Sequence, residues 1–313
     1  MRLLTVISFI VSLTILGISC DDAPKHPDTL SSGAIDISAD ETYRTVIEEQ
    51  SKVFDSSFPN AKVTIHYKSE GECFKDYFEN KARLILVTRE LTPDEKKIAD
   101  QKQFYPTSVS LVKDAVALIV NNENPDSLMD VPMIKGILTG EYTKKKYTVV
   151  FDNQSSSLVR YITDSLLKGQ KLGANVYAAK SHQGVVDYVM KNPDAIGFAG
   201  LADICDSSDP GNTGTFVKNV RVVAVYNDTM KEYLKPYLAY IGLKEYPFVR
   251  KLYYVSRESY AGLGTGFANF LLGNRGQLIF AYGHLYPLKM EISIRDVEIN
   301  KEPNNTTNSK TQK

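Results

Sequence analysis

Tyr147-Thr148-Val149-Val150-Phe151-Asp152-Asn153-Gln154-Ser155-Ser156-Ser157-Leu158-Val159-Arg160-Tyr161-Ile162 changes its hydrophobic rhythm halfway along. The first five residues are β-branched or aromatic and read as a buried strand. From Leu158 the apolar residues Leu158, Val159, Ile162, Leu166 and Leu167 take helical spacing. Between them lie small residues with hydroxyls. A strand that passes through a serine turn into a helix presents unpaired backbone N–H groups and the positive end of the helix dipole, and an oxyanion suits that position. A plainer reading stands beside it: one serine caps the helix and the others face water. Recurrence of the same device elsewhere in the chain favours the anion.

Strands and helices alternate on both sides of this stretch. Ala34–Ile37 reads as a strand, followed by Asp40 and Thr42 and a helix through Val46, Ile47 and Phe54. Lys62–Tyr67 alternates like a strand, then Ser69 and Glu70 lead into a helix around Phe74 and Tyr77. Leu84–Val87 is fully apolar and runs into Thr88-Arg89-Glu90-Leu91; Thr92-Pro93-Asp94-Glu95 then opens a helix with a capping box. Three strand-to-helix junctions thus carry hydroxyl or charged side chains. Ala115–Val120, Ala195–Gly200, Val220–Tyr226 and Phe248–Val255 are further strands, and Phe267–Leu272 is expected to be the final helix. The pattern predicts an α/β fold with a mainly parallel sheet, whose ligands gather at the carboxyl ends of its strands.

The N-terminus reads as an address. Met1-Arg2, an apolar run from Leu3 to Ile18 and small residues before Cys20 form a signal peptide over 1–19 with a lipoprotein-type cleavage site. Cys20 would carry the lipid, and the polar 20–32 stretch would be a tether. This places the protein in the periplasm or cell envelope, anchored to a membrane of unspecified leaflet.

Composition narrows the function. Lys+Arg and Asp+Glu are 37 each, so no net basic charge points to nucleic acid. Four scattered histidines and the absence of CxxC or HExxH give no support for a metal, and no cofactor is implied. Cys73 and Cys205 leave a disulfide open. Gly262-Leu263-Gly264-Thr265-Gly266 matches neither a P-loop nor a dinucleotide fingerprint and reads as a turn entering a helix. No Gly-x-Ser-x-Gly elbow is present.

Several stretches together resemble a known family. Leu84–Glu95, Asp114–Asn122 with Asn124-Pro125, Val150–Ser157, Ala195–Leu201 and Gly262–Phe267 are similar, in order, to the PstS-like phosphate ABC-transporter substrate-binding proteins, nearest to lipoprotein members of Bacteroidetes type. The resemblance implies a periplasmic-binding-protein type II fold with a hinge and a ligand cleft between two lobes. Lobe 1 would comprise 33–115 and 245–299, lobe 2 would comprise 116–244, and 300–313 would be a disordered tail. It implies a monomer that carries phosphate or a similar oxyanion to an ABC permease, with no catalytic residue.

By motif matching, Thr88 and Arg89 occupy a first-lobe contact loop, and Ser155, Ser156 and Ser157 stand where the family has a Gly-Ser-Gly-Thr turn. Thr42 and Ser69 fall on the two earlier loops. The family's arginine before that turn is replaced here by Phe151-Asp152, so Arg89 or Arg160 is expected to supply the charge. Hydrogen phosphate carries a proton that sulfate lacks, so a cleft carboxylate favours phosphate. Asp152 is the first candidate, with Asp40 and Glu70 behind it. Two further readings stay open: a binding protein for another, organic anion, and a secreted serine hydrolase using the 155–157 turn.

Overall fold

A computed structural model describes residues 27–206 and 215–290. The signal peptide, Cys20, the start of the tether and the 300–313 tail lie outside the described residues. The chain begins with β1 (Gly33–Asp40), a 3-10 turn (Glu41–Tyr43), α1 (Arg44–Ser57), β2 (Ala61–Lys68), α2 (Glu70–Phe78), β3 (Leu84–Val87) and α3 (Pro93–Gln101). It continues with the long strand β4 (Thr107–Val120), β5 (Leu128–Met129), α4 (Val131–Thr139) and β6 (Thr148–Phe151). Next come α5 (Ser157–Tyr161), running on as a π-helix (Ile162–Leu167), then β7 (Val176–Ala178), α6 (His182–Lys191), β8 (Ala195–Gly200) and α7 (Leu201–Ile204). The last elements are β9 (Arg221–Val222), β10 (Ala224–Asn227), β11 (Glu232–Leu234), α8 (Leu238–Leu243), β12 (Val249–Ser256), α9 (Leu263–Leu272), α10 (Asn274–Tyr282) and β13 (Tyr286–Pro287).

One sheet runs β2-β1-β3-β12-β4-β8-β6-β7. Its two ends are parallel, as the alternation of strands and helices demands, but β12 pairs antiparallel with both β3 and β4, and β4 pairs antiparallel with β8. The sheet is therefore mixed rather than mainly parallel. The reason is connectivity: β4 leads out of the first set of elements and β12 returns to it, so the two run in opposite directions side by side. The strand β4 changes partners partway. Thr107–Ala115 pairs with β12, and Val116–Val120 pairs with β8.

The core divides on the same line. One cluster packs Ile35, Ile37 and Ala39 of β1 with Phe54, Phe267 and Phe280, while a second packs α2 and α3 on Ile85 and Val87. With helices on both faces, β3 is apolar at every position. A third cluster holds Val116–Val120, β6, β8 and α6. Cys73 lies in the second cluster and Cys205 in the third, as separate buried thiols.

The Thr92 capping box forms as expected, with Glu95 N donating to Thr92 Oγ1 at 3.3 Å and Thr92 N to Glu95 Oε2 at 2.8 Å. The C-terminal end departs from expectation. Helix α9 begins inside the glycine run, and α10 follows it, because Gly273 interrupts the helical pattern without ending it. Gly266 has a steric role: an added Cβ would sit 1.8 Å from the Leu30 carbonyl oxygen. Gly266→Ala is therefore expected to destabilise the protein by about 3 kcal/mol, measured by urea unfolding, whereas the same change at Gly71, which has open space around it, costs far less.

Candidate functional site

The carboxyl ends of the strands from both halves of the sheet meet along a seam. β1 delivers Asp40, which caps the 3-10 turn by accepting Thr42 N at 3.0 Å. The Thr42 hydroxyl lies 3.4 Å from the Ser157 hydroxyl at the start of α5. Close approach here is possible because Gly200 ends β8; a Cβ on it would stand 3.1 Å from the Thr42 methyl and 3.3 Å from Asp203 Oδ2.

Behind the two hydroxyls is Arg250 of β12. It sits directly opposite Asp114 in the β12–β4 register, and its Nε donates to Asp114 Oδ2 at 2.8 Å, with both side chains 1% exposed. Nη1 donates to Ser157 Oγ at 3.0 Å, and Tyr43 donates its hydroxyl to Asp114 Oδ2 at 2.8 Å. Nη2 is buried without a hydrogen-bond partner. Asp40 Oδ2, Asp114 Oδ1 and Asp152 Oδ1 are buried in the same condition. Buried polar groups are nearly always paired, so this concentration at one seam marks a place shaped for a polar guest.

His182 stands between two more carboxylates, with Nε2 3.7 Å from Asp152 Oδ2 and Nδ1 3.3 Å from Asp203 Oδ2. Burial pushes the Asp203 carboxyl up to about 6, opposed by His182 and reinforced by Asp114 and Asp152. Burial also raises Asp40, with Glu70 adding to the rise and Arg250 and Ser157 opposing it. Among the described residues, these groups do not form a three-ligand metal set.

A second polar knot crosses the seam. Buried Glu70 accepts from Thr88 N at 2.7 Å and Thr88 Oγ1 at 2.6 Å, and forms an ion pair with Arg160 Nε. Arg160 Nη2 also donates to Thr88 Oγ1 at 2.7 Å. Glu70 and Thr88 come from one side of the seam and Arg160 from the other, so the knot ties the two halves together.

Of the residues singled out from sequence, Asp40, Thr42, Glu70, Thr88, Asp152, Ser157 and Arg160 converge here. The other four are placed differently. Ser69 stands at the N-cap of α2, where Glu72 Oε2 accepts from its N–H at 3.1 Å and from its hydroxyl at 2.7 Å. Arg89 makes a two-pronged ion pair with Glu95 at 2.6 and 2.9 Å, and its guanidinium lies 3.7 Å above the centre of the Phe74 ring. Ser155 is exposed, with its N–H held by Asn153 Oδ1 at 2.9 Å. Ser156 takes the plain capping role, accepting Val159 N at 3.3 Å. Sequence reasoning missed Arg250, Asp114, Tyr43, His182 and Asp203. The available signal was a pair of opposite charges, Asp114 and Arg250, each embedded in an apolar strand.

A PBP superfamily domain model matches residues 24–275, and the chain belongs to that superfamily. It is similar to the phosphate-binding protein PstS of Pseudomonas aeruginosa, 21% identical over 292 residues covering 85% of this chain and 87% of that one. A Clostridium perfringens protein assigned as a phosphate ABC transporter substrate-binding protein, solved with bound phosphate, superposes with a TM-score of 0.68 at 21% identity, over 82% of this chain and all of that one. An ABC-type phosphate transport receptor from Vibrio cholerae gives 0.64 at 17% identity, over 80% and 99%. The fold is the two-lobed type II periplasmic-binding-protein fold.

The raised Asp203 carboxyl has a consequence for stability. Its folded value lies above the unfolded one, so its contribution is fully present only below pH 3.8 and is lost as pH rises through about 6. Asp203→Asn is expected to be more stable than wild type at pH 8 by about 1–2 kcal/mol, with the difference shrinking toward pH 4. Chemical denaturation across that range measures it.

Proposed function

We propose that this protein is a lipid-anchored solute-binding protein of the cell envelope that closes on an inorganic oxyanion, phosphate foremost, and delivers it to an ABC permease. The observation that carries the reading is buried Arg250: one of its nitrogens binds Ser157, which lies beside Thr42 and Asp40, and another is buried there without a hydrogen-bond partner. Arg250 thereby supplies the charge that the Phe151-Asp152 sequence lacks. The names of the relatives, each tied to phosphate, agree.

The seam's charge balance favours phosphate over sulfate. Asp40, Glu70, Asp114, Asp152 and Asp203 outnumber Arg160 and Arg250, and Glu70 and Asp114 are already committed to those arginines. Asp152 and Asp40 each keep a buried oxygen ready to accept a hydrogen bond. A guest that brings its own proton satisfies them, whereas a fully deprotonated anion meets repulsion. On this reading the described residues of 33–115 and 245–290 form lobe 1 and those of 116–244 form lobe 2, and the exchange of β12 for β8 along β4 supports a hinge there. Ser157 Oγ accepts from Arg250 at 3.0 Å and lies beside Thr42 and Asp40 with no histidine hydrogen-bonded to it among the described residues, which supports binding over hydrolysis.

Isothermal titration of dialysed protein with phosphate, sulfate and a panel of small organic anions tests this. Phosphate is expected to bind and sulfate to fail; Ser157→Ala weakens phosphate about tenfold, the equivalent of one lost charge-assisted hydrogen bond. Asp152→Asn is expected to narrow the preference by admitting sulfate. Binding of an organic anion in place of phosphate would move the assignment to that ligand, and binding of nothing would remove it.

A further inference from the structure

The ribbon of β4 and β12 has two faces, and only one faces the Arg250–Asp114 pair. Successive residues in a strand point to opposite sides, so Lys113 and Lys251 leave by the other face. They lie directly opposite one another in the antiparallel register. Like charges in that position repel and cost stability. Lys113 is also 9% exposed. Burial first, then the charges of Lys244 and Lys251, depress its pKa. Its ammonium donates to the Gly242 carbonyl and lies 5.1 Å from the centre of the Tyr286 ring. None of Lys113, Lys244 and Lys251 has a carboxylate within ion-pair distance among the described residues, although other lysines of the chain do.

These three lysines line one cavity of about 550 Å³. Arg89 and Arg160 reach it from the two sides of the seam, each already paired with a carboxylate (Glu95 and Glu70), Thr88 and Arg250 of the oxyanion seam also line it, Tyr253 supplies an aromatic wall, and Glu90 is its one acidic residue. The volume lies in the range of sites for extended small ligands. A single orthophosphate cannot touch cations spread around such a space, whereas a chain of linked phosphoryl groups can. We propose that this cavity is a second anion site, which binds a condensed phosphate of two or three phosphoryl groups across the hinge. Each phosphoryl group replaces a lysine–lysine repulsion with a charge-assisted contact, and a ligand held by Arg89, Arg160 and the hinge strands favours the closed arrangement of the lobes. The site adjoins the oxyanion seam, sharing Arg160 and Arg250 with it, and goes beyond that reading through the lysines, which the seam does not use.

Titration of the purified protein with orthophosphate, tripolyphosphate and ATP, at constant ionic strength, is the test. Tripolyphosphate is expected to bind, and the Lys244→Asn/Lys251→Gln double variant to weaken it tenfold or more while leaving any orthophosphate affinity within twofold. The Lys244→Arg/Lys251→Arg variant keeps the charges and is expected to keep binding, which separates loss of the site from loss of the fold. ATP binding as tightly as tripolyphosphate supports a site that reads the phosphoryl chain wherever it is attached; ATP failing while tripolyphosphate binds supports a site for the free chain. No binding of tripolyphosphate, or equal affinity in wild type and the glutamine-containing variant, overturns the proposal.

Discussion

Arg250 and Asp114 form a buried ion pair between the two strands that the halves of the molecule share. Removing two charges from water costs several kcal/mol each, and only good geometry with further hydrogen bonds offsets it. Here the offset comes from Tyr43 on Asp114 and Ser157 on Arg250. The 3-10 turn after β1, the start of α5 and the β4–β12 ribbon are thus held to one point. Loss of either charge would leave the other stranded in the interior, so the seam depends on this contact more than on any other.

Around that point the seam carries more carboxylate than guanidinium, a balance that supports the proposed preference for an anion bearing a proton. Phosphate near neutral pH is a hydrogen-bond donor as well as an anion, and unpaired oxygens on Asp40 and Asp152 reward the donor. The Glu70–Thr88–Arg160 knot has a different role, because its acceptors and donors are satisfied by one another. It ties the lobes by polar contacts rather than by a shared apolar core, the kind of closure that a hinge motion can make and break.

The two faces of the β4–β12 ribbon divide the electrostatics. One carries the matched Arg250–Asp114 pair and the other carries Lys113 and Lys251, which are opposed to each other. A parity of one residue along each strand separates them. The PBP superfamily fold accounts for the crossing strands.

Much of the architecture was legible in the chain itself. Local spacing gave Leu84–Val87 as a buried strand, Thr92 to Glu95 as a capping box, and the change from strand to helix through Ser155–Ser157, because burial and backbone hydrogen bonding act over a few residues. The serine run could not say which hydroxyl would do what. Ser155 faces water, Ser156 caps and Ser157 enters the seam, an outcome set by where the first helical turn points each side chain. Arg89 likewise looked like the family's charge until Glu95, six residues on, was seen to hold it. Sequence by itself therefore determined the order and type of the elements and the polar character of the strand ends. Only the tertiary structure decided that Arg250 and Asp114, 136 positions apart, share one buried point, because strand register between distant segments is chosen by the packing of the whole sheet.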